Sequence, residues 1–274
     1  MRYIDLLECG RKILYNSEIT DYDIDAWYLL EYVTNMSRAE YFLKREEDVP
    51  DNIEKKYKEL ISRRATHIPL QHITGSQEFM GLDFLVSKDV LVPRQDTETL
   101  VEYLLPLVKG KKVLDMCTGS GCIAISLMKL GEALACDASD YSKKALEIAV
   151  KNSELNEAGV NFIYSDMFEN IKDKYDIIVS NPPYIITSDI AFLAPEVRIH
   201  EPFMALDGGD DGFLFYRIIS SMAVSYLNYG GLVAVEIGYN QGNHVSELFK
   251  EYGFKNVEVH KDLSGNNRFV TAWI

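Results

Sequence analysis

No run of about 18 consecutive apolar residues occurs in this chain, so the sequence offers no candidate membrane-spanning helix. Cysteine is scarce. The 274 residues hold four (Cys9, Cys117, Cys122, Cys136), with no CxxC pair and no framework spacing. That excludes a disulfide-stapled scaffold and suits thiols kept reduced. Acids stand at Asp5 and Glu8, where a signal peptide would be apolar, so the expected compartment is the cytoplasm. Cations are in deficit. With 28 Lys+Arg against 42 Asp+Glu the net charge is −14, which argues against a protein that wraps nucleic acid. HExxH, GxxxxGK[ST] and GxSxG are all missing, which removes metalloprotease, P-loop and α/β-hydrolase readings. A hydrophobic fraction of 47% remains, enough for a real core in one large domain or two modest ones.

Glycine is absent between Gly10 and Gly75 and frequent afterwards. Charge shifts as well: residues 1–72 carry a net −3 and the remainder −11. Two architectures joined near residue 70 follow from this. The first, 1–70, reads as a small helical bundle. Ser37 followed by Glu40 fits a capping box, and Asp51 with Glu54 repeats the spacing. Asp21, Asp23 and Asp25 imitate the start of a calcium loop. Ala26 at the glycine position and Tyr32 at the final glutamate position point to helix capping instead. Lys44, Arg45, Lys55, Lys56, Lys58, Arg63 and Arg64 alternate with acids, as on a solvated helix face; a docking patch for an acidic partner is the sharper alternative. His67 and His72 are lone histidines, and no metal centre is expected.

Residues 71–92 read as a β-hairpin linker punctuated by Gly75 and Gly81. From residue 93 to 274, strands at 112–116, 133–137, 160–164, 175–180 and 231–237 alternate with helical segments. That is the pattern of a doubly wound α/β sheet.

Two motifs carry chemistry. Asp115-Met-Cys117-Thr118-Gly119-Ser120-Gly121 turns a strand into a helix, and Asp137 follows 22 residues after Asp115. A bland tight turn needs one glycine, and a dinucleotide site wants GxGxxG. An acid before the turn favours a cationic ligand over phosphate. S-adenosylmethionine, with its ammonium and sulfonium, suits Asp115, Gly119, Gly121 and Asp137, the last as acceptor for ribose hydroxyls. The second motif, Asn181-Pro182-Pro183-Tyr184, follows an apolar strand. Two prolines stiffen it, Asn181 offers an acceptor, and Tyr184 offers an aromatic face. Such a corner can seat a planar –NH2, amide or exocyclic amine. The alternative is a proline-stiffened loop with no ligand.

Over nearly its whole length the chain resembles the release-factor glutamine methyltransferases, the HemK/PrmC family. The likeness includes Arg64-Ala-Thr-His-Ile-Pro-Leu-Gln-His-Ile-Thr-Gly, Val92-Pro-Arg-Gln-Asp-Thr-Glu, the two motifs above, Glu201-Pro-Phe-Met-Ala-Leu-Asp-Gly-Gly and Asp262-Leu-Ser-Gly-Asn-Asn-Arg. Asn-Pro-Pro-Tyr alone is shared with adenine N6 methyltransferases acting on DNA. The resemblance implies a seven-stranded, Rossmann-like class I methyltransferase domain, an N-terminal helical domain that holds the substrate protein, and a hairpin linker. It implies S-adenosylmethionine as cofactor and class I peptide chain release factors as partners, methylated at N5 of the Gly-Gly-Gln glutamine. No nucleic-acid substrate and no membrane is implied. By position, Cys117 to Gly121, Asp137, Met167 and Asn181 would hold the cofactor, with Met167 near the adenine. Asn181, Pro182, Pro183 and Tyr184 would receive the amide. The family usually has glycine at the position of Cys117 and often an aromatic at that of Met167. The rivals are a ribosomal-protein glutamine methyltransferase, a DNA adenine methyltransferase and a non-catalytic adaptor.

Overall fold

The computed structural model describes residues 1–274. The chain divides into two compact units. One comprises Met1–Gly75 with Ala194–His200, the other Ser76–Leu193 with Glu201–Ile274. No helix is long and apolar enough to cross a membrane.

The first unit is built from α1 (Tyr3–Asn16), α2 (Tyr22–Thr34), α3 (Arg38–Lys44), α4 (Asp51–Arg64) and α5 (Leu70–Thr74). Its core gathers Leu6, Leu7, Leu14, Trp27, Leu29, Leu30, Tyr57 and Ile61. Gly10 is there for close approach: a Cβ would fall 2.1 Å from the Tyr57 hydroxyl oxygen. The capping box at α3 forms, with Ser37 N donating to Glu40 Oε2 at 2.9 Å and Glu40 N to Ser37 Oγ at 3.3 Å. The one expected at Asp51 does not. Pro50 takes the cap position and supplies no side-chain acceptor, so Asp51 sits inside the helix. Asp21 stands at the start of α2 without a side-chain cap bond, so the expected capping is absent there too. Asp25 is buried and accepts from Arg64 Nε at 2.6 Å. Burial raises its pKa, and the Arg64 guanidinium opposes the rise. Arg64 thus leaves the solvated basic face. It also donates to Glu196 Oε1 at 3.1 Å, from the short helix α9 (Pro195–His200). The boundary after the bundle falls at Gly75 because residues 70–74 form a helical turn rather than the start of the hairpin.

In the second unit a hairpin, β1 (Ser76–Phe79) and β2 (Leu82–Leu85), precedes α6 (Gln95–Val108). Then come β3 (Lys112–Met116), α7 (Cys122–Gly131), β4 (Ala135–Asp140), α8 (Lys143–Leu155), β5 (Val160–Tyr164) and β6 (Tyr175–Ser180). After α9 follow α10 (Leu214–Tyr226), β7 (Leu227–Glu236), α11 (Gly242–Glu251), β8 (Lys255–Lys261) and β9 (Asn267–Trp273). The sheet order is β5-β4-β3-β6-β7-β9-β8, parallel except for β9. Both faces are covered. Val113, Ile177 and Leu232 join the layer with α6 and α7, whereas Leu114, Ile178 and Val233 join the layer with α10 and α11. Two-sided burial explains why these strands read as continuous apolar runs. The strand order reverses between β3 and β6, and crevices at such switch points bind ligands.

Candidate active site

The turn after β3 lies at that crevice. Gly121 has φ +83°, and a Cβ there would meet Ile125 at 3.0 Å and Ala149 at 3.2 Å, so only glycine lets α7 and α8 pack this closely. Asp115 is fully buried beneath the turn. Its Oδ2 accepts from the Thr118 hydroxyl at 2.6 Å and from Ala124 N at 3.2 Å, so it satisfies an open N–H in the first turn of α7. Burial pushes its pKa up to about 7 against those two bonds. Its role in this geometry is to hold the turn, because the carboxylate does not reach the crevice wall.

A cleft of about 430 Å³ opens beside the turn. Cys117, Gly119, Asp140, Tyr141, Met167 and Asn181 line it, with Pro183 and the Pro202–Ala205 segment. Thr118, Ser120 and Gly121 shape the turn without lining the cleft, and Pro182 likewise stays off its wall. Asp137 is not on the wall either. It pairs with Leu114 inside the sheet, where its carboxylate takes the Tyr175 hydroxyl at 2.6 Å and Asn161 Nδ2 at 2.8 Å. The acid at the mouth is Asp140. β4 runs three residues past Asp137, so the position facing the cleft falls to Asp140. Its Oδ2 accepts from Gly119 N and its Oδ1 from Ser142 N, each at 2.8 Å. Burial raises the Asp140 pKa against these bonds. The signal in the sequence was Ser142. It caps α8, receiving Ala145 N at 3.2 Å, and so marks where the strand must already have ended.

Cys117 and Met167 both adopt left-handed backbone, with φ +57° and +45°. A non-glycine residue there costs about 1–2 kcal/mol. Ser165 Oγ helps to hold the second by donating to the Met167 carbonyl at 2.8 Å. Burial, reinforced by Asp140, pushes the Cys117 thiol far up, so it stays neutral. Cys117→Gly is expected to raise stability by about 0.5 kcal/mol, the strain relieved less the roughly 0.5–1 kcal/mol entropic cost of glycine. Chemical denaturation checks this; a lower midpoint would mean that thiol packing outweighs the strain.

Asn181 reaches the cleft wall from the end of β6. Its Nδ2 lies 3.4 Å from Thr97 Oγ1, and Thr97 donates to Glu236 Oε2 at 2.6 Å. Tyr184 turns away from the cleft into a separate recess with Arg94, Asp96, Glu236 and Arg268. Its hydroxyl donates to Glu236 Oε1 at 3.4 Å, and burial beside that carboxylate pushes the phenol pKa up. Tyr184 therefore serves the corner as a buttress and hydrogen-bond donor rather than as an aromatic face toward the cleft. Its carbonyl accepts Gln241 Nε2 at 3.1 Å, and Ile185 N donates to the Leu206 carbonyl at 3.0 Å.

The remaining motifs are scaffolding. Arg94 Nη2 donates to both Glu201 oxygens at 2.7 Å. Asp262 accepts Ser264 N and Asn266 N at 2.9 Å and pairs with Arg268 at 2.9 Å, while Arg268 also meets Asp96 at 2.8 Å. Thr97, Asp140 and Glu236 are the site residues that sequence reasoning missed.

The cleft wall includes Asp89, Asp140, Asp166 and Asp207 and not one Lys, Arg or His. Those acceptors fit a ligand bearing positive charge and repel phosphate. Sheet order and cleft together define a class I, S-adenosylmethionine-dependent methyltransferase. A methyltransferase from Pyrococcus furiosus shares the fold, with TM-score 0.55 at 21% identity over 71% of this chain and 90% of that one. Residues 5–75 match the PrmC N-terminal domain, and residues 94–209 match the methyltransferase small domain. The release factor glutamine methyltransferase of Agrobacterium fabrum is 42% identical, covering 97% of this chain and 95% of that protein. The one from Clostridium acetobutylicum is 38% identical, covering 99% and 98%. This chain belongs to the release factor glutamine methyltransferase family.

Proposed function

We propose that this chain methylates N5 of the glutamine in the Gly-Gly-Gln motif of class I peptide chain release factors. The observation that carries the reading is Asn181 on the wall of an acid-lined cleft, at a corner stiffened by Pro182 and Pro183. Asp140 would accept the ribose hydroxyls of the cofactor, Met167 would pack on its adenine, and Cys117 and Gly119 of the turn would lie along it. When bound, the cofactor supplies an electrophilic methyl group. An amide nitrogen is a poor nucleophile because its lone pair is delocalised. The Asn181 side-chain oxygen, on the wall, accepts one N–H of the glutamine amide; by likeness to the family the Pro182 carbonyl, off that wall, takes the other. They fix the nitrogen and strengthen as positive charge develops on it, and the methylated nitrogen, now acidic, sheds one proton to water. The bundle of residues 1–75 holds the release factor. Ile24, Tyr28 and Tyr32, each about half exposed on successive turns of α2, support this role. Reduced thiols and a translation substrate support the cytoplasm as compartment.

Labelled methyl donor offered in parallel to release factor, ribosomal protein and DNA separates the readings. Release factor alone is expected to take label. Label in DNA alone would overturn the proposal. Cofactor binding with no transfer to any of the three would favour an adaptor.

A further inference from the structure

Glu236 ends β7 and is 2% exposed, yet the scheme above does not use it. Its Oε2 receives the Thr97 hydroxyl at 2.6 Å, and Thr97 Oγ1 lies 3.4 Å from Asn181 Nδ2. A threonine hydroxyl has one proton to give, and a carboxylate has none. While Glu236 is ionised, that proton is committed to it. The Thr97 oxygen is then only an acceptor toward Asn181. The Asn181 amide must present its NH2 to Thr97 and its oxygen elsewhere.

We propose that Glu236, acting through Thr97, is the positioning residue that fixes which way round the Asn181 amide sits, holding Asn181 Oδ1 as acceptor for the substrate amide. This rests on the assignment of Asn181 to that amide. Protonation reverses the relay. Neutral Glu236 donates to Thr97, Thr97 donates to Asn181 Oδ1, and the turned amide meets the substrate NH2 donor against donor.

The surroundings set where the switch lies. Arg94, Asp96 and Thr97 face Glu236 from the start of α6, and Arg268 from β9. Tyr184 faces it from the loop after β6, Tyr216 from α10 and Cys122 from α7. Burial pushes all three of the last groups up, so they stay neutral. Burial also raises Glu236 to about 7; Thr97, Arg268 and Tyr184 oppose the rise and Asp96 adds to it. A raised carboxyl is ionised above that value and protonated below it, so the productive amide orientation is lost on acidification.

The test is kcat across neutral pH at saturating cofactor and release factor. Wild type is expected to lose about tenfold per pH unit below a midpoint near 7, with KM little changed. Asp115, raised to a similar value, is the competing source of such a limb, and the variants leave it in place. Glu236→Gln and Thr97→Val abolish the limb, and Thr97→Val lowers the plateau by about tenfold. Thr97→Ser, which keeps the hydroxyl, keeps the limb. Calorimetric cofactor binding shows that each variant is folded. A limb with the same midpoint in both Glu236→Gln and Thr97→Val, or none in wild type, overturns the proposal. If Asn181→Ala is inactive while the limb survives both variants, the relay alone is wrong. If Asn181→Ala turns over like wild type, the assignment of Asn181 falls and the relay with it.

Discussion

Asn181→Ala is expected to lower kcat by about 10²–10³-fold, the loss typical for one preorganised acceptor or donor at a reacting centre. The truncated side chain leaves the substrate NH2 with the Pro182 carbonyl alone, so the nitrogen is no longer fixed. The acceptor strengthens as positive charge builds, so the loss should fall on kcat more than on KM. The corner itself should survive. Its backbone is held by the prolines, by Gln241 on the Tyr184 carbonyl and by the Ile185–Leu206 hydrogen bond. Single-turnover methyl transfer reads the effect. Near-wild-type turnover with intact cofactor binding would remove Asn181 from the mechanism.

Asp140→Asn is expected to weaken cofactor binding by about 10–100-fold, because a hydrogen bond to a charged acceptor contributes roughly 1.5–3 kcal/mol. The substitution preserves volume but removes the charge that faces a cationic ligand. It also trades one of the two acceptors for Gly119 N and Ser142 N for a donor. Asp137→Asn is the contrasting change. That carboxylate serves Tyr175, Asn161 and Lys112 away from the cleft. The apo protein should lose stability while cofactor affinity holds. Titration calorimetry paired with thermal unfolding separates the two aspartates. A larger affinity loss at Asp137 than at Asp140 would reverse their assignment.

These two aspartates also show where the sequence was legible. The strand at 175–180 is read to the residue, because its apolar run ends at Val179 and, after Ser180, Asn181 and two prolines follow. β4 was harder. After Cys136 come Asp137, Ala138 and Ser139, which carry no hydrophobic alternation, yet Ala138 and Ser139 are buried. Small residues fit there because the turn after β3 packs on the strand, Thr118 N donating to the Ser139 carbonyl at 3.0 Å. Local pattern cannot reveal that contact. Glu236 poses the same problem, since its partner Thr97 lies 139 residues away. Glu236 lies inside the strand read at 231–237, and nothing nearby in the sequence marks its partner until the fold brings α6 over it. Glu196 lies 132 residues from Arg64, and only the folded chain shows that 194–200 belongs with the bundle. The composition proved more informative than its sum. The four aspartates of a cation-free cleft wall give the net −14 a local meaning.

The most direct measurement is tandem mass spectrometry of a release factor after incubation with this protein and S-adenosylmethionine. The account predicts one added methyl on the side-chain nitrogen of the Gly-Gly-Gln glutamine, present with wild type and nearly lost with Asn181→Ala. A methyl on any other residue, or equal modification by the two proteins, would contradict it.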